Sequence, residues 1–154
     1  MGNKKTIYYE INDTLLKFYY RFIFLNEERI KINGIAIFNE LNEKIKQFIT
    51  NSFEDVCKLY VEQLNKNLKL NTIYPKLKPY KAYNPTLNRS IEIDGLALEN
   101  NSLLVVECKY KNKPFSKEML NNLKESVSIF DNNLEKYYYI FSKLGFDNSL
   151  INNN

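Results

Sequence analysis

Apolar residues recur at helical spacing in three stretches of the first 64 residues. The stripe in residues 14–23 is unusually aromatic and follows Asp13, a suitable helix N-cap. A second stripe covers residues 35–48, after Gly34 interrupts the pattern, and a third covers residues 52–64 with Ser52 as its N-cap. The pattern therefore predicts three helices, preceded by a short strand at residues 5–11.

The second half of the chain changes to strand-like patterns. Residues 91–98 and 103–110 are rich in branched apolar side chains, and the polar turn at residues 99–102 separates them, which predicts an antiparallel hairpin. Residues 71–90 contain three prolines and predict an extended segment with one edge strand. Ser116 is a suitable cap for a helix with an apolar stripe from Met119 to Phe130, and residues 137–142 predict a returning strand. These elements predict an α/β fold of the α+β kind, a mixed sheet flanked by helices.

Composition limits the chemistry that this chain can perform. The sequence has no histidine, so zinc catalysis and imidazole acid–base chemistry lose their usual groups. Its two cysteines, Cys57 and Cys108, lie in apolar stretches and are expected to be buried hydrophobes rather than a disulfide or a metal cluster. The net charge of +4 permits a polyanionic partner without requiring one. Catalysis would therefore rest on carboxylates, lysines, tyrosines or a bound hard cation.

Charged residues stand inside both strands of the predicted hairpin. Asp94 follows Glu92 at strand spacing, and Glu107 and Lys109 share one face of the second strand. If the register brings these faces together, the carboxylates and the ammonium converge, which suits metal-assisted phosphodiester hydrolysis. The alternative is a cross-strand salt bridge between Lys109 and Glu92 or Asp94, a surface feature of small energetic value.

The two strands also carry a recognisable pattern, IEIDGLAL at residues 91–98 and VVECKYKNKP at residues 105–114. It resembles the D…(D/E)XK core of the PD-(D/E)XK nuclease superfamily, which is restriction-endonuclease-like. The resemblance implies that Asp94, Glu107 and the backbone carbonyl of Cys108 hold Mg²⁺ or Mn²⁺, with Lys109 as the catalytic lysine. It also implies that Glu54, on the helix before the sheet, joins the catalytic site; alternatively, Glu54 stabilises the first turn of its helix and pairs with Lys58.

A narrower resemblance links the chain to the C-terminal domain of archaeal-type (DEXX-box) ATPases. The stretches DTLLKFYYRF at residues 13–22, FEDVC at residues 53–57 and YYYIFSKLGF at residues 137–146 support it. It implies a helical extension at residues 1–50, a nuclease-like core at residues 51–147 and a frayed tail at residues 148–154. The four glycines form no GxxxxGK[ST] loop, which excludes ATP hydrolysis by this chain and makes an ATPase module a candidate partner.

Basic side chains of the Pro-rich segment could contact the phosphates of a nucleic acid, with its tyrosines stacking on bases. The candidates are Lys76, Lys78, Lys81 and Arg89, together with Lys124 on the later helix. The alternatives are a connector whose tyrosines close the edge of the core and a Lys124 that is simply solvated. Aromatic residues elsewhere, such as Tyr19, Phe22 and Phe38, are assigned to core packing.

Two functions follow from these observations. The first is a metal-dependent nuclease, or a nuclease-derived DNA-binding domain, associated with an ATPase. The second is a catalytically inactive module that docks on an ATPase, on a partner protein or on a second copy as a homodimer, because the aromatic helices at residues 14–48 would expose apolar area. No run is long enough to span a bilayer, so a cytoplasmic location without membrane contact is expected.

Overall fold

The computed structural model of the protein describes residues 11–151. The chain forms two compact units, residues 1–52 and residues 53–154, and each is described by itself below. The strand expected at residues 5–11 lies, except for its last residue, outside the described residues.

The first unit begins with a capped helix, as the sequence predicts. Helix α1 (Thr14–Phe18) starts after Asp13, whose carboxylate accepts a hydrogen bond from the Leu16 backbone N–H at 2.8 Å. The helical path continues as a π-helical segment, Tyr19–Ile23, and a 3-10 segment, Phe24–Asn26. The predicted helix at residues 14–23 is thus confirmed, with a wider turn at its end.

Helix α2 (Glu27–Lys66) differs from the prediction because it joins the two expected helices into one. Its backbone is interrupted at Asn33, which has extended dihedral angles (φ −156°, ψ 87°) and accepts a hydrogen bond from the Ala36 N–H at 3.1 Å. The break near Gly34 is therefore confirmed, but the start at Ser52 is wrong. The Ser52 hydroxyl donates to the Phe48 carbonyl at 2.8 Å, a bond that a serine within a helix makes to the preceding turn.

Several apolar side chains of the first unit are exposed. Phe22 is buried and packs against the rings of Phe18 and Phe48. Tyr19 and Phe38 are 41% and 54% exposed, so the expectation that they pack in a core is wrong. A helix that packs on one side buries only that face, so apolar residues on its other faces remain exposed to solvent. No helix within residues 11–151 is long and apolar enough to cross a membrane.

The second unit contains one four-stranded sheet with the order β1-β2-β3-β4. Strands β1 (Lys78–Asn84), β2 (Arg89–Glu99) and β3 (Ser102–Lys109) form an antiparallel meander. Asn100 takes the left-handed conformation (φ 50°) in the tight turn between β2 and β3, which suits an asparagine. The predicted hairpin and edge strand are confirmed.

A crossover helix returns the chain to the sheet. Helix α3 (Lys117–Val127) is capped by Ser116, whose hydroxyl oxygen accepts a hydrogen bond from the Met119 N–H at 3.3 Å. Strand β4 (Glu135–Ser142) then pairs in parallel with β3 along its whole length. The mixed α+β architecture predicted from the sequence is confirmed. A short helix, α4 (Asn148–Ile151), ends the described chain.

Each face of the sheet supports its own core. Leu104, Val106 and Cys108 of β3 pack with residues of α2 such as Cys57 and Val61. The alternate residues of β3, Leu103 and Val105, pack with Leu123 and Val127 of α3. The central strand is therefore buried on both faces, which explains its unbroken apolar run.

Candidate active site at the end of the central hairpin

Asp94 lies in the middle of β2, where the pairing with β3 ends and the register with β1 shifts. Lys78 pairs with Leu96 and Tyr80 pairs with Ile93, so Asp94 and Gly95 together stand opposite the single residue Pro79. This β-bulge changes the alternation of β2, because Ile93 and Leu96 both enter the core beside α3. The Asp94 carboxylate Oδ2 accepts the Cys108 backbone N–H at 2.7 Å, which ties the bulge to the end of β3. A glycine inside a strand pattern is the sequence signal that would have predicted the bulge.

Gly95 is required here for space, and we expect Gly95→Ala to destabilise the protein by about 1–3 kcal/mol. A Cβ at this position would lie 3.1 Å from the Cβ of Val106, which is fully buried and cannot move aside. Urea denaturation measures the loss. Gly34→Ala is the matched control, because its Cβ would meet only Ile30 at an ordinary 3.6 Å and should stabilise the helix slightly. Equal stability of Gly95→Ala and the wild type would contradict the tight packing at the bulge.

Glu107 and Lys109 form an ion pair with each other at the end of β3. The alternative of a cross-strand salt bridge between Lys109 and Glu92 or Asp94 is therefore wrong, and Glu92 pairs instead with Lys81 at 2.7 Å. Glu107 is 6% exposed, and its Oε2 atom has no hydrogen-bond partner. A buried carboxylate oxygen without a partner is costly and indicates a site for a ligand.

The charges around this pair favour the binding of protons or cations. Burial raises the pKa of the Glu107 carboxyl despite the opposing effect of Lys109, and Asp94 and Glu54 raise it further. Burial alone would lower the pKa of the Lys109 ammonium, but the negative charges of Glu107 and Asp94 raise it. Both members of the pair therefore hold their protons more tightly than they would in water. Two carboxylates, those of Glu107 and Asp94, thus act on the one ammonium of Lys109.

Glu54 belongs to the same electrostatic cluster. It lies in the interior of α2, half-buried, so the alternative role in a first turn is wrong. Burial raises the pKa of its carboxyl, and the charge of Asp94 adds to the shift, while Lys58 acts in the opposite direction. The ion pair of Lys58 is with Asp55, at 3.4 Å, rather than with Glu54. Repulsion from Asp94 is thus only partly compensated.

The donor set suits a magnesium-like cation with few protein ligands. Within residues 11–151, no group of three or more His, Cys, Asp or Glu side chains is arranged to hold a metal ion. Mg²⁺ commonly uses one or two carboxylates and keeps several waters, so Asp94 and Glu107 are the residues that could hold it. The unpartnered Oε2 atom of Glu107 supports this fit. The expected contribution of the Cys108 carbonyl stays a prediction; the N–H of the same residue bonds to Asp94.

We expect the pH dependence of stability to report the buried Glu107. Its folded-state pKa lies above the ordinary 4.5, so above pH 4.5 the folded protein binds more protons at this group than the unfolded chain does. The free energy of unfolding must then fall as the pH rises through this window. In Glu107→Gln the fall in melting temperature from pH 4.5 to pH 7.5 should be smaller. Glu118→Gln changes an exposed residue of α3 and should show the same fall in melting temperature as the wild type. An equal fall in all three proteins would contradict the assignment of this pH dependence to Glu107.

The five basic residues proposed as phosphate contacts fall into two groups. Lys81 pairs with Glu92, and Arg89 pairs with Glu125 at 2.8 Å. Lys76, Lys78 and Lys124 are exposed and make no ion pair within the described part of the chain. Charge from Glu54 and Asp94 also acts on Lys81 and raises its pKa, after the larger effect of its pairing with Glu92. Lys81 is therefore the basic residue of the set that the structure brings towards the carboxylates.

The tyrosines of the same segment mostly serve the core. Tyr74 is 4% exposed and its hydroxyl donates to Asn71 Oδ1 at 2.9 Å. Tyr80 packs against the ring of Phe130, whereas Tyr83 is 60% exposed. The alternative that tyrosines close the edge of the core holds for Tyr74 and Tyr80.

The two cysteines behave as buried hydrophobes, as expected. Cys57 on α2 and Cys108 on β3 are free, buried and within the same core cluster. Burial raises the pKa of both thiols, which keeps them in their unreactive form.

Residues 19–137 match the model of a protein family described as "Archaea bacterial proteins of unknown function", DUF234. The chain belongs to this family. The matched range of DUF234 includes the whole meander, α3 and every carboxylate of the candidate site.

A DUF234 chain of this length is short beside one curated relative. That relative, the uncharacterized protein MJECL04 of Methanocaldococcus jannaschii, is 32% identical over 146 residues. The alignment covers 92% of this chain but 31% of the relative, so the chain spans about a third of the length of that protein. No solved structure matches the chain.

Proposed function

We propose that this DUF234 domain is a metal-dependent nuclease of the PD-(D/E)XK type that hydrolyses phosphodiester bonds in DNA. One observation carries the proposal. The buried Glu107 carboxylate has one oxygen without a hydrogen-bond partner and is ion-paired with Lys109. Burial raises its pKa, and the charge of Asp94 on the neighbouring strand raises it further. Perturbed titratable groups that converge at one place are typical of catalytic sites.

The order of elements supports this proposal. The hairpin pairs β2 with β3, so the two halves of the D…(D/E)XK pattern lie on adjacent strands. The bulge places Asp94 at the end of β3, and α2 contributes Glu54 to the same cluster. Two exposed basic residues lie in the same unit: Lys78 is the first residue of β1, and Lys76 lies just before it. Exposed lysines of this kind suit contact with a phosphate backbone.

Asp94, Glu107, Lys109 and the Cys108 backbone have separate roles in this mechanism. Asp94 and Glu107 would hold Mg²⁺ or Mn²⁺. When bound, the cation polarises a phosphoryl oxygen and lowers the pKa of water. Lys109, whose position is held by Glu107, presents a permanent positive charge that offsets the charge developing on the phosphate. The Cys108 N–H bond keeps the Asp94 carboxylate in position and leaves its second oxygen for the cation.

The direct test is cleavage by the purified 154-residue chain. Supercoiled plasmid, single-stranded DNA and branched DNA are incubated with the protein and Mg²⁺ or Mn²⁺, with EDTA as the control. Metal-dependent cleavage of at least one substrate is the expected result. Folded protein that cleaves none of them, or that cleaves equally well in EDTA, contradicts the proposal.

A second function is favoured by the first unit. Four large apolar side chains in the helical segments before residue 52 are 73–86% exposed: Leu15, Leu25, Ile32 and Ile35. Such an exposed apolar surface is typical of docking sites. Under this proposal the fold is an inactive module that binds an ATPase or another partner protein, and failure of the cleavage assay with folded protein is the result that favours it.

A further inference from the structure

The two outer strands of the sheet differ in how they protect their open edges. Strand β1 carries exposed Lys78, Pro79 and Lys81, which are the residues that proteins use to block the addition of a further strand. Strand β4 has the sequence EKYYYIFS, without proline or glycine, and its charges are confined to the first two residues. From Lys136 to Ser142 every residue of β4 is only half-buried although it lies in the sheet. By these criteria the sequence of β4 is typical of an inner strand, although β4 lies at the edge of the sheet.

The outward-facing groups of β4 follow from its pairing with β3. The Glu135 N–H donates to the Asn101 carbonyl at 2.9 Å, and the Lys143 N–H donates to the Lys109 carbonyl at 3.0 Å. Since the N–H and C=O of one residue point to the same side of a strand, the odd-numbered residues of β4 face β3. Lys136, Tyr138, Ile140 and Ser142 therefore present their backbone groups outward. Within residues 11–151 no other strand pairs with this edge.

We propose that this edge binds the same edge of a second copy of the chain, joining the two sheets into one continuous sheet. An antiparallel pair of identical strands must match outward residues with outward residues, which limits the register. The register that uses the whole edge places Tyr139 on the two-fold axis. Tyr138 then faces Ile140 and Lys136 faces Ser142, each pair with its backbone groups in position to bond.

The side chains of this register are complementary at the two ends of the strands and at the aromatic pair between Tyr137 and Phe141. Glu135 faces the second copy's Lys143 at both ends of the joined strands. Neither residue has an ion-pair partner within the described residues; Glu135 accepts the Tyr137 hydroxyl, and Lys143 donates to Asn112 and lies over the Tyr110 ring. Tyr137 faces Phe141, an aromatic pair of the kind that stabilises antiparallel strands.

Both cores would also continue across the junction. Tyr137, Tyr139 and Phe141 border the core beside α2, whereas Tyr138 and Ile140 border the core beside α3. The side chains of the second copy's β4 would cover these partly buried residues. Opposite charges at the ends and apolar rings in the middle argue for self-pairing rather than for a strand of unrelated sequence.

Sedimentation equilibrium of the full chain over a concentration series tests the proposal. The wild type is expected to show a monomer–dimer equilibrium. Glu135→Lys and Lys143→Glu should each weaken the dimer by about tenfold, since like charges then face each other at both ends. The double variant with both changes should restore the wild-type constant to within about twofold.

A proline substitution separates backbone pairing from side-chain packing. Tyr138→Pro removes an outward N–H that β3 does not use, so the monomer should keep its circular dichroism spectrum while the dimer is lost. Tyr138→Ala loses the same ring but keeps the N–H, and it should dimerise more strongly than Tyr138→Pro. A wild type that stays monomeric at all concentrations overturns the proposal. A dimer indifferent to Tyr138→Pro, or charge variants that the double variant does not rescue, would overturn it as well.

Discussion

Lys109→Met is expected to lower metal-dependent DNA cleavage by about 100- to 1000-fold, the usual effect of removing one group that stabilises charge in a transition state. The Lys109 ammonium is ion-paired with Glu107 and is acted on by the charge of Asp94, so it lies at the proposed metal ligands themselves. Methionine keeps most of the aliphatic stem and therefore limits the loss of packing. Initial rates of plasmid nicking at saturating Mn²⁺ measure the effect.

Two further proteins make this experiment specific. Lys113→Ala removes an exposed lysine four residues beyond the site and should change the rate by less than about twofold. Asp94→Asn keeps the Glu107–Lys109 pair and should also lose cleavage. Circular dichroism confirms that each variant is folded. Wild-type rates in both Lys109→Met and Asp94→Asn would show that the cluster is not catalytic.

Millimolar Mn²⁺ is expected to stabilise the wild type by about 2.7 kcal/mol once its concentration is one hundred times the dissociation constant. A bound cation would offset the repulsion among Asp94, Glu107 and Glu54. Burial is the main cause of the raised pKa of the Glu54 and Glu107 carboxyls, and the charge of Asp94 raises both further. Thermal melts with and without Mn²⁺, reversed by EDTA, give the shift. The response should be absent in Asp94→Asn.

The same variant separates repulsion from structure. The asparagine side chain that Asp94→Asn introduces keeps an oxygen that can accept the Cys108 N–H but carries no charge. Without metal, the variant should therefore be at least as stable as the wild type. Glu99→Gln, at the last residue of β2, is the control and should keep the full metal response. An equal response in the wild type and in Asp94→Asn would mean that Asp94 is not a ligand.

The expected dimer and the expected nuclease activity are independent. The proposed dimer uses the edge of β4, whereas the proposed catalysis uses Asp94 in the middle of β2 and the end of β3. A monomeric nuclease and an inactive dimer are both physically consistent outcomes, and each would retain one proposal and remove the other.

The amino-acid sequence by itself determined the elements whose causes are local. Asp13 and Ser116 cap helices through side-chain oxygens that reach backbone groups three residues away. The alternation of residues 91–98 and 103–110 and the turn between them specify the hairpin, because neighbouring residues in the chain are also neighbours in space. The same locality made Glu107 and Lys109 detectable as a pair on one face.

Only the tertiary structure decided features that depend on distant segments. Ser52 looks like a cap in sequence, yet helix α2 continues through it, and the residues after it, such as Cys57 and Val61, pack against strand β3. The bulge at Asp94 and Gly95 lies opposite Pro79 of another strand, and the raised pKa of Glu107 depends chiefly on its burial in the folded chain. The exposure of Tyr19 and Phe38 likewise depends on which helix surfaces are covered by other parts of the folded chain. Local periodicity identifies an apolar face, but whether that face is covered is set by the free energy of packing against chain far away in sequence.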